Sequence, residues 1–272
     1  MLPERLVITI GAMKCGTSSL HEYLGAHPRI AMSRRKELDY FLERAGRRRD
    51  PSWYMRQLAV HGKPAALVHG ESSPNYAKAH IFPGVPERIR AEAPEARLVY
   101  LVRDPTRRAL SHYAHNLAKG RERRPVDEAL RPEPRNNYIE TSLYGWQLQA
   151  YLRCFPAERI LVLQLEELSR APREAMRKVH SFLGVDADEA DASFDTVHHA
   201  SGAKRMPTDL GRRLRRLPGG RSLVAAAPGL FTKPLPPIAA SDATIERLRE
   251  RFAEDCAWLR AHTGLALAGW SV

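Results

Sequence analysis

The sequence predicts an α/β fold: a central parallel β-sheet of about five strands, flanked by helices on both faces. Two observations carry this. Short runs that are almost continuously apolar, at residues 6–10 (LVITI), 97–102 (RLVYLV) and 160–165 (ILVLQL), suit strands buried on both sides, as in parallel sheets. Helical patterns fall between and after them, at about 17–26, 51–60, 84–93, 105–119, 138–154 and 172–183. Strands alternating with helices imply crossover units and a sheet covered on both faces.

A weaker strand candidate covers 66–70. Residues 186–242 read as mostly irregular, because Pro218-Gly-Gly, Pro228-Gly and Pro234-Leu-Pro-Pro break any regular element. A last amphipathic helix, about 241–263, repeats apolar residues at Ile245, Leu248, Phe252, Cys256 and Leu259. With 272 residues and no internal repeat or strong boundary, one domain spanning 1–272 is expected.

Composition narrows the class. No apolar run approaches the roughly 18 residues of a membrane-spanning helix. Met1-Leu-Pro-Glu-Arg runs straight into the first strand, which does not read as a secretory signal. The three cysteines, Cys15, Cys154 and Cys256, are widely spaced, so neither a disulfide framework nor a metal site is expected and a reducing cytoplasm fits. Lys and Arg number 43 against 31 Asp and Glu, a formal charge of +12. Such a surface favours polyanions, acidic membranes or anionic small molecules, unless arginine is simply abundant throughout. The arginines cluster at 44–49, and 204–221 holds seven basic residues and one acid.

Gly11-Ala-Met-Lys-Cys-Gly-Thr-Ser-Ser-Leu follows the first strand directly. Gly11 and Gly16 permit backbone angles that other residues resist. The amides from Lys14 to Ser18 can then point into one concavity, joined by the unpaired N–H groups and dipole of the helix that starts there. Thr17, Ser18 and Ser19 add hydroxyls, and Lys14 a full charge. The loop is close to the triphosphate-binding pattern G-x-x-x-x-G-K-[ST], which makes the fold a P-loop-containing one. It departs at one place: Thr17 occupies the lysine position, and the only lysine precedes the second glycine by two residues.

The strand at 97–102 ends in Arg103-Asp-Pro-Thr-Arg-Arg-Ala-Leu-Ser111. Arg103 falls at the carboxyl end of a strand, where open parallel sheets bind ligands. Pro105 suits the first turn of the next helix. Ser111 lies about two turns along. Arg103 and Ser111 could share a second phosphate; taken alone, they also read as a solvated arginine and a helix-surface serine.

Together these two segments resemble the sulfotransferases that use 3′-phosphoadenosine-5′-phosphosulfate (PAPS), and within them the heparan-sulfate-type and bacterial branch. The loop is similar to the family's 5′-phosphosulfate loop, G-x-x-K-x-G-T, and Arg103 with Ser111 resembles its 3′-phosphate site. Lys36-Glu-Leu-Asp-Tyr-Phe41 resembles the branch's K-E-x-x-F-F element, with Tyr40 in place of the first aromatic. Trp53-Tyr-Met and Glu71-Ser-Ser-Pro-Asn-Tyr76 resemble two further segments. Several glycan-modifying members carry a lysine where this chain has Ser72, which weakens the case for a heparan-like acceptor. Ser201-Gly-Ala-Lys-Arg205 resembles a basic loop that closes over the nucleotide.

The resemblance implies a sulfotransferase that moves a sulfuryl group from PAPS to a hydroxyl or amine, with no metal. Glu37 would act as base and Lys14 would stabilise the leaving group. Donor binding would fall to Lys14, Cys15, Gly16, Thr17, Ser18 and Ser19, to Arg103 and Ser111, and to Gly202, Lys204 and Arg205. Glu37 could instead only pair with Lys36 or Arg35, and His69, at the end of the weak strand candidate, is the reserve base. The acceptor could be an acidic glycan, a glycolipid or a polyketide-like molecule, and no nucleic-acid partner is expected. A P-loop kinase of small molecules or nucleotides is the first alternative. A non-catalytic polyanion binder is the second, although the basic stretches lack the interleaved aromatics of nucleic-acid binders.

Overall fold

The computed structural model describes residues 2–46, 48–59, 63–189, 205–214 and 217–272. The first strand, β1 (Leu6–Gly11), is buried at every position, as its unbroken apolar run requires. A loop carries it into α1 (Thr17–Ala26), followed by β2 (Ile30–Met32), α2 (Pro51–Leu58), β3 (Val68–Ser72) and α3 (Val85–Glu92). β4 (Arg97–Val102) leads into α4 (Pro105–Ala118), then short α5 (Val126–Ala129) and α6 (Asn137–Glu140), and α7 (Tyr144–Leu152). β5 (Ile160–Gln164) runs directly into α8 (Leu165–Arg170) and α9 (Pro172–Leu183). After these come β6 (Arg205–Pro207), α10 (Asp209–Leu214), α11 (Gly220–Ala226), α12 (Pro228–Phe231), β7 (Thr232–Pro234) and α13 (Asp242–Thr263).

Strands β1 to β5 form one parallel sheet in the order β2-β3-β1-β4-β5. β1 is central, and Thr9 near its carboxyl end is flanked by Ser72 of β3 and Val99 of β4. The chain leaves β1 toward β2 and β3 and then crosses to β4 on the other side. Crevices at such reversals, outside the carboxyl ends of the strands, are where open parallel sheets hold ligands. The core is the apolar strand set with Leu20 and Leu24 of α1, Ala109 of α4, Tyr144 and Leu148 of α7, and Leu248, Phe252 and Leu259 of α13. No described helix is long and apolar enough to cross a membrane.

Three expectations need correction, and one strand was not foreseen. The weak strand at 66–70 lies at Val68–Ser72, two residues further on, because the chain stays paired with β1 through Ser72. The single helix expected over 138–154 is two, α6 and α7. Asp255 of α13 accepts from the amides of Gly145 and Trp146 at 2.9 and 2.7 Å and so starts a new helix there, a cap supplied from about a hundred residues away. The segment after 204 is less irregular than expected. β6 and β7 pair antiparallel, and α10, α11 and α12 pack on one another between them. Finally, β2 is a three-residue strand with no apolar run long enough to announce it.

Candidate active site

The loop between β1 and α1 is tied to β4 by Ala12 N–H donating to the Leu101 carbonyl at 2.7 Å, and closed on itself by Cys15 N–H to Ala12 O at 3.1 Å. The two glycines have different tasks. Gly16 has φ of +85°, and a Cβ there would stand 2.5 Å from Leu165 Cδ1. Gly11 has no left-handed φ; a Cβ there would meet Ala77 Cβ at 2.7 Å, so the need is for room. Replacing Gly16 by alanine combines left-handed strain with a clash. It is expected to lower stability by about 1–3 kcal/mol, read as a lower denaturant midpoint at unchanged slope.

Gly16 is also the N-cap of α1 and has no side chain to cap it, so the first-turn amides of that helix are open to an anion. Lys14, half-buried, holds a left-handed φ of 73°, rare for a residue with a side chain. Cys15 turns away from the concavity. Its buried thiol sits 3.5 Å from the Tyr144 hydroxyl, and burial pushes its pKa up to about 11, so it packs as a neutral group. Lys36 reaches in from the segment after β2 and donates to Thr17 Oγ1 at 3.1 Å and Ser18 Oγ at 2.8 Å. Ser19, half-buried, follows in the same helical turn.

The second anion site joins the first. Arg103 Nη1 donates to the Lys14 carbonyl at 3.2 Å, so the arginine expected to hold a separate phosphate also braces the phosphate loop. Its Nε is buried without a hydrogen-bond partner among the described residues. Such an orphaned donor suits a ligand oxygen. Asp104 caps α4 by accepting from Arg107 N–H at 2.7 Å. Ser111, half-buried, stands on α4 two turns beyond Pro105.

Glu37 is exposed, has φ of 58°, and donates its amide to the Ser72 carbonyl at the end of β3 at 2.9 Å. Its neighbour Lys36 touches the loop hydroxyls, so the backbone of the expected base lies beside the expected donor site. His69, the reserve base, does not. It is the second residue of β3, and its Nδ1 lies 3.3 Å from the Leu58 carbonyl. Three residues separate it from the carboxyl end of the strand, roughly 10 Å at strand spacing. Arg205 is turned onto the β6–β7 ribbon, donating to Thr232 Oγ1 and to the Thr232 carbonyl at 2.7 Å each. Gly202 and Lys204 lie outside the described residues.

Three cations emerge here that the sequence did not single out. Lys36 read only as a partner for Glu37. Arg108, within the Arg103–Ser111 segment, is fully buried; it donates to Ser142 Oγ at 2.6 Å and to the Tyr138 carbonyl. Its third contact is His112 Nδ1 at 3.3 Å, and burial, then Arg108, push that imidazole down to about 2, so it accepts as a neutral ring. None of these bonds is to a carboxylate, so Arg108 keeps an uncompensated charge next to the loop that carries Cys15. Lys78 Nζ lies between Asn75 Oδ1 at 2.9 Å and Met13 Sδ at 3.2 Å, and burial pulls its pKa down to about 8. Lys36 stands in the K-E-x-x-F-F element, but nothing in the sequence set the direction of its side chain or of those of Arg108 and Lys78.

A five-stranded parallel sheet whose central strand runs through a glycine-closed loop into an uncapped helix start defines an α/β protein of the P-loop-containing fold. The sulfotransferase domain model matches residues 4–206, and the chain belongs to that family. It is 30% identical over 201 residues to heparan sulfate glucosamine 3-O-sulfotransferase 3B1 of Mus musculus, covering 71% of this chain and 49% of that protein. It is 26% identical over 204 residues to bifunctional heparan sulfate N-deacetylase/N-sulfotransferase 2 of Homo sapiens, covering 68% of this chain and 22% of that protein. The chain thus spans about half the length, or less, of these relatives. Among solved structures, a sulfotransferase from Alicyclobacillus acidocaldarius superposes with a TM-score of 0.71 at 27% identity, over 98% of each chain.

Proposed function

We propose that this protein transfers a sulfuryl group from PAPS to a hydroxyl or amine of a glycan, glycolipid or small-molecule acceptor. The observation that carries this reading is the meeting of two anion sites through one atom pair, Arg103 Nη1 on the Lys14 carbonyl, with Glu37 one residue from the lysine that caps Thr17 and Ser18. A donor bearing phosphate at both ends of its ribose needs two such sites a fixed distance apart; a triphosphate does not. The loop amides, Thr17, Ser18 and Ser19 hold the 5′-phosphate, and Arg103 and Ser111 the 3′-phosphate. Arg108 deepens the positive potential beneath them.

In the transfer, the acceptor oxygen forms a bond to sulfur as the bond from sulfur to the 5′-phosphate oxygen breaks. Glu37 takes the acceptor's proton, and the electron pair of the broken bond goes to the phosphate oxygen, where Lys14 neutralises it. Lys36 adds a second ammonium at the same hydroxyls. Ser72, at the position of the branch's acceptor-side lysine, is fully buried and bonded to His21 Nδ1 at 3.0 Å, so it offers the acceptor no charge. Lys78, beside Met13 of the loop, is one buried cation close to the proposed base.

Thermal unfolding tests the reading without knowledge of the acceptor. 3′-Phosphoadenosine-5′-phosphate (PAP) at about a hundred times its Kd, with no magnesium, is expected to add about 2.7 kcal/mol, or a Tm rise of about 5 °C. Stabilisation only by ATP with Mg²⁺ would instead make the protein a kinase. Stabilisation by heparin and nucleic acid alone, lost steeply with salt, would make it a polyanion binder.

A further inference from the structure

Two segments that the proposed chemistry does not use, α2 and residues 71–76, meet at one buried carboxylate. Glu71, in β3, is fully buried. Its Oε1 accepts from the hydroxyls of Tyr76 at 2.6 Å and Tyr54 at 3.1 Å, and its Oε2 from Ser73 at 2.5 Å. Two of those hydroxyls face a second way. Ser73 Oγ accepts the Asp39 amide at 3.0 Å, and the Tyr76 hydroxyl accepts the Phe41 amide at 3.3 Å. Both amides belong to the segment that carries Glu37. That segment holds left-handed φ at Glu37 and again at Asp39, 58° and 52°, a conformation that costs a residue with a side chain free energy and persists only where the surroundings impose it.

We propose that Glu71 is a positioning residue for the base: its carboxylate, an acceptor only when ionised, fixes the Ser73 and Tyr76 hydroxyls so that their lone pairs hold the Asp39 and Phe41 amides and aim Glu37. The inference rests on Glu37 being the base. A hydroxyl has one proton and must spend it on the carboxylate to offer oxygen to the loop. A neutral amide in place of Glu71 presents N–H to one of them and turns it. Tyr54 supplies the third donor and stacks on Tyr40 at 4.1 Å, so the tryptophan–tyrosine element of α2 closes the cluster from below. The carboxylate and the Ser73, Tyr54 and Tyr76 hydroxyls are buried and paired, which is the condition under which a buried polar cluster specifies one geometry; burial pushes the Glu71 carboxyl up to about 7, so the acceptor-only form prevails above that pH.

The test is a set of single substitutions, Glu71→Gln, Ser73→Ala and Tyr76→Phe, with Tyr113→Phe as a control that loses a buried tyrosine hydroxyl bonded elsewhere, to the Arg124 carbonyl at 2.9 Å. Turnover is read as PAP release from PAPS, with N-sulfated heparosan oligosaccharides as the probe acceptor and water as acceptor where they are refused. PAP affinity and amide hydrogen exchange of residues 36–42 are read on the same samples. The expected result is a kcat about tenfold to a hundredfold lower in the three network variants, with PAP affinity within threefold and faster exchange confined to 36–42. Tyr113→Phe keeps kcat. Wild-type kcat, or unchanged exchange at 36–42, in Ser73→Ala and Tyr76→Phe overturns the proposal while leaving Glu37 as base. Full turnover in Glu37→Gln, measured alongside, overturns both.

Discussion

Glu37→Gln is expected to lower PAP release from PAPS by about a hundredfold to ten-thousandfold, the range that loss of a positioned general base produces. Glutamine keeps the length and polarity of the side chain but cannot take a proton. Glu37 is exposed, on a segment held at its ends by backbone and network bonds, so the substitution disturbs no packing. PAP affinity should therefore stay within about threefold, because the proposed donor contacts come from the loop, Arg103 and Ser111. A single-turnover measurement separates the two quantities. Equal loss of turnover and PAP affinity would assign Glu37 to binding, and turnover within threefold of wild type would move the base to another residue. His69 is the less favoured alternative, since its Nδ1 lies 3.3 Å from the Leu58 carbonyl near the amino-terminal end of β3.

Arg103→Ala is expected to weaken PAP binding by about thirtyfold or more, equivalent to the 2 kcal/mol or more that loss of a buried charged contact costs. The residue has a second duty, because Arg103 Nη1 braces the Lys14 carbonyl. A loop loosened by the substitution would weaken every nucleotide equally. Adenosine 5′-phosphate, which lacks the 3′-phosphate, resolves this by calorimetry. Its affinity should change less than threefold if Arg103 Nε, buried and unpartnered, is aimed at the 3′-phosphate. An equal loss for both nucleotides would leave Arg103 as a brace and place the 3′-phosphate elsewhere.

Much of the framework was legible because local physics and tertiary structure agree. β1 and β4 run within a residue of their expected bounds, since strands buried on both faces read as near-continuous apolar runs. α1 starts where Gly16 places it, and α4 starts at the Pro105 that suits a first helical turn. The displaced lysine of the loop made it read as a phosphosulfate loop and not a triphosphate one. Where structure departed, a distant partner was responsible. The break between α6 and α7 comes from Asp255 of α13, which no window around residue 143 contains.

By itself, then, the sequence determined a parallel α/β sheet, a glycine-bounded strand-to-helix loop with Lys14 at its centre, and a cation, Arg103, at the end of a second strand. These follow from apolar runs, glycine spacing and strand-end position, all of which are local. Tertiary structure alone decided that Arg108 and not Arg107 turns inward, that Lys36 crosses to the hydroxyls of Thr17 and Ser18, and that Glu71 gathers Tyr54, Ser73 and Tyr76. Each depends on which groups from remote segments stand within about 3 Å, and a buried charge takes its position from the partners that satisfy it, not from its neighbours in the chain.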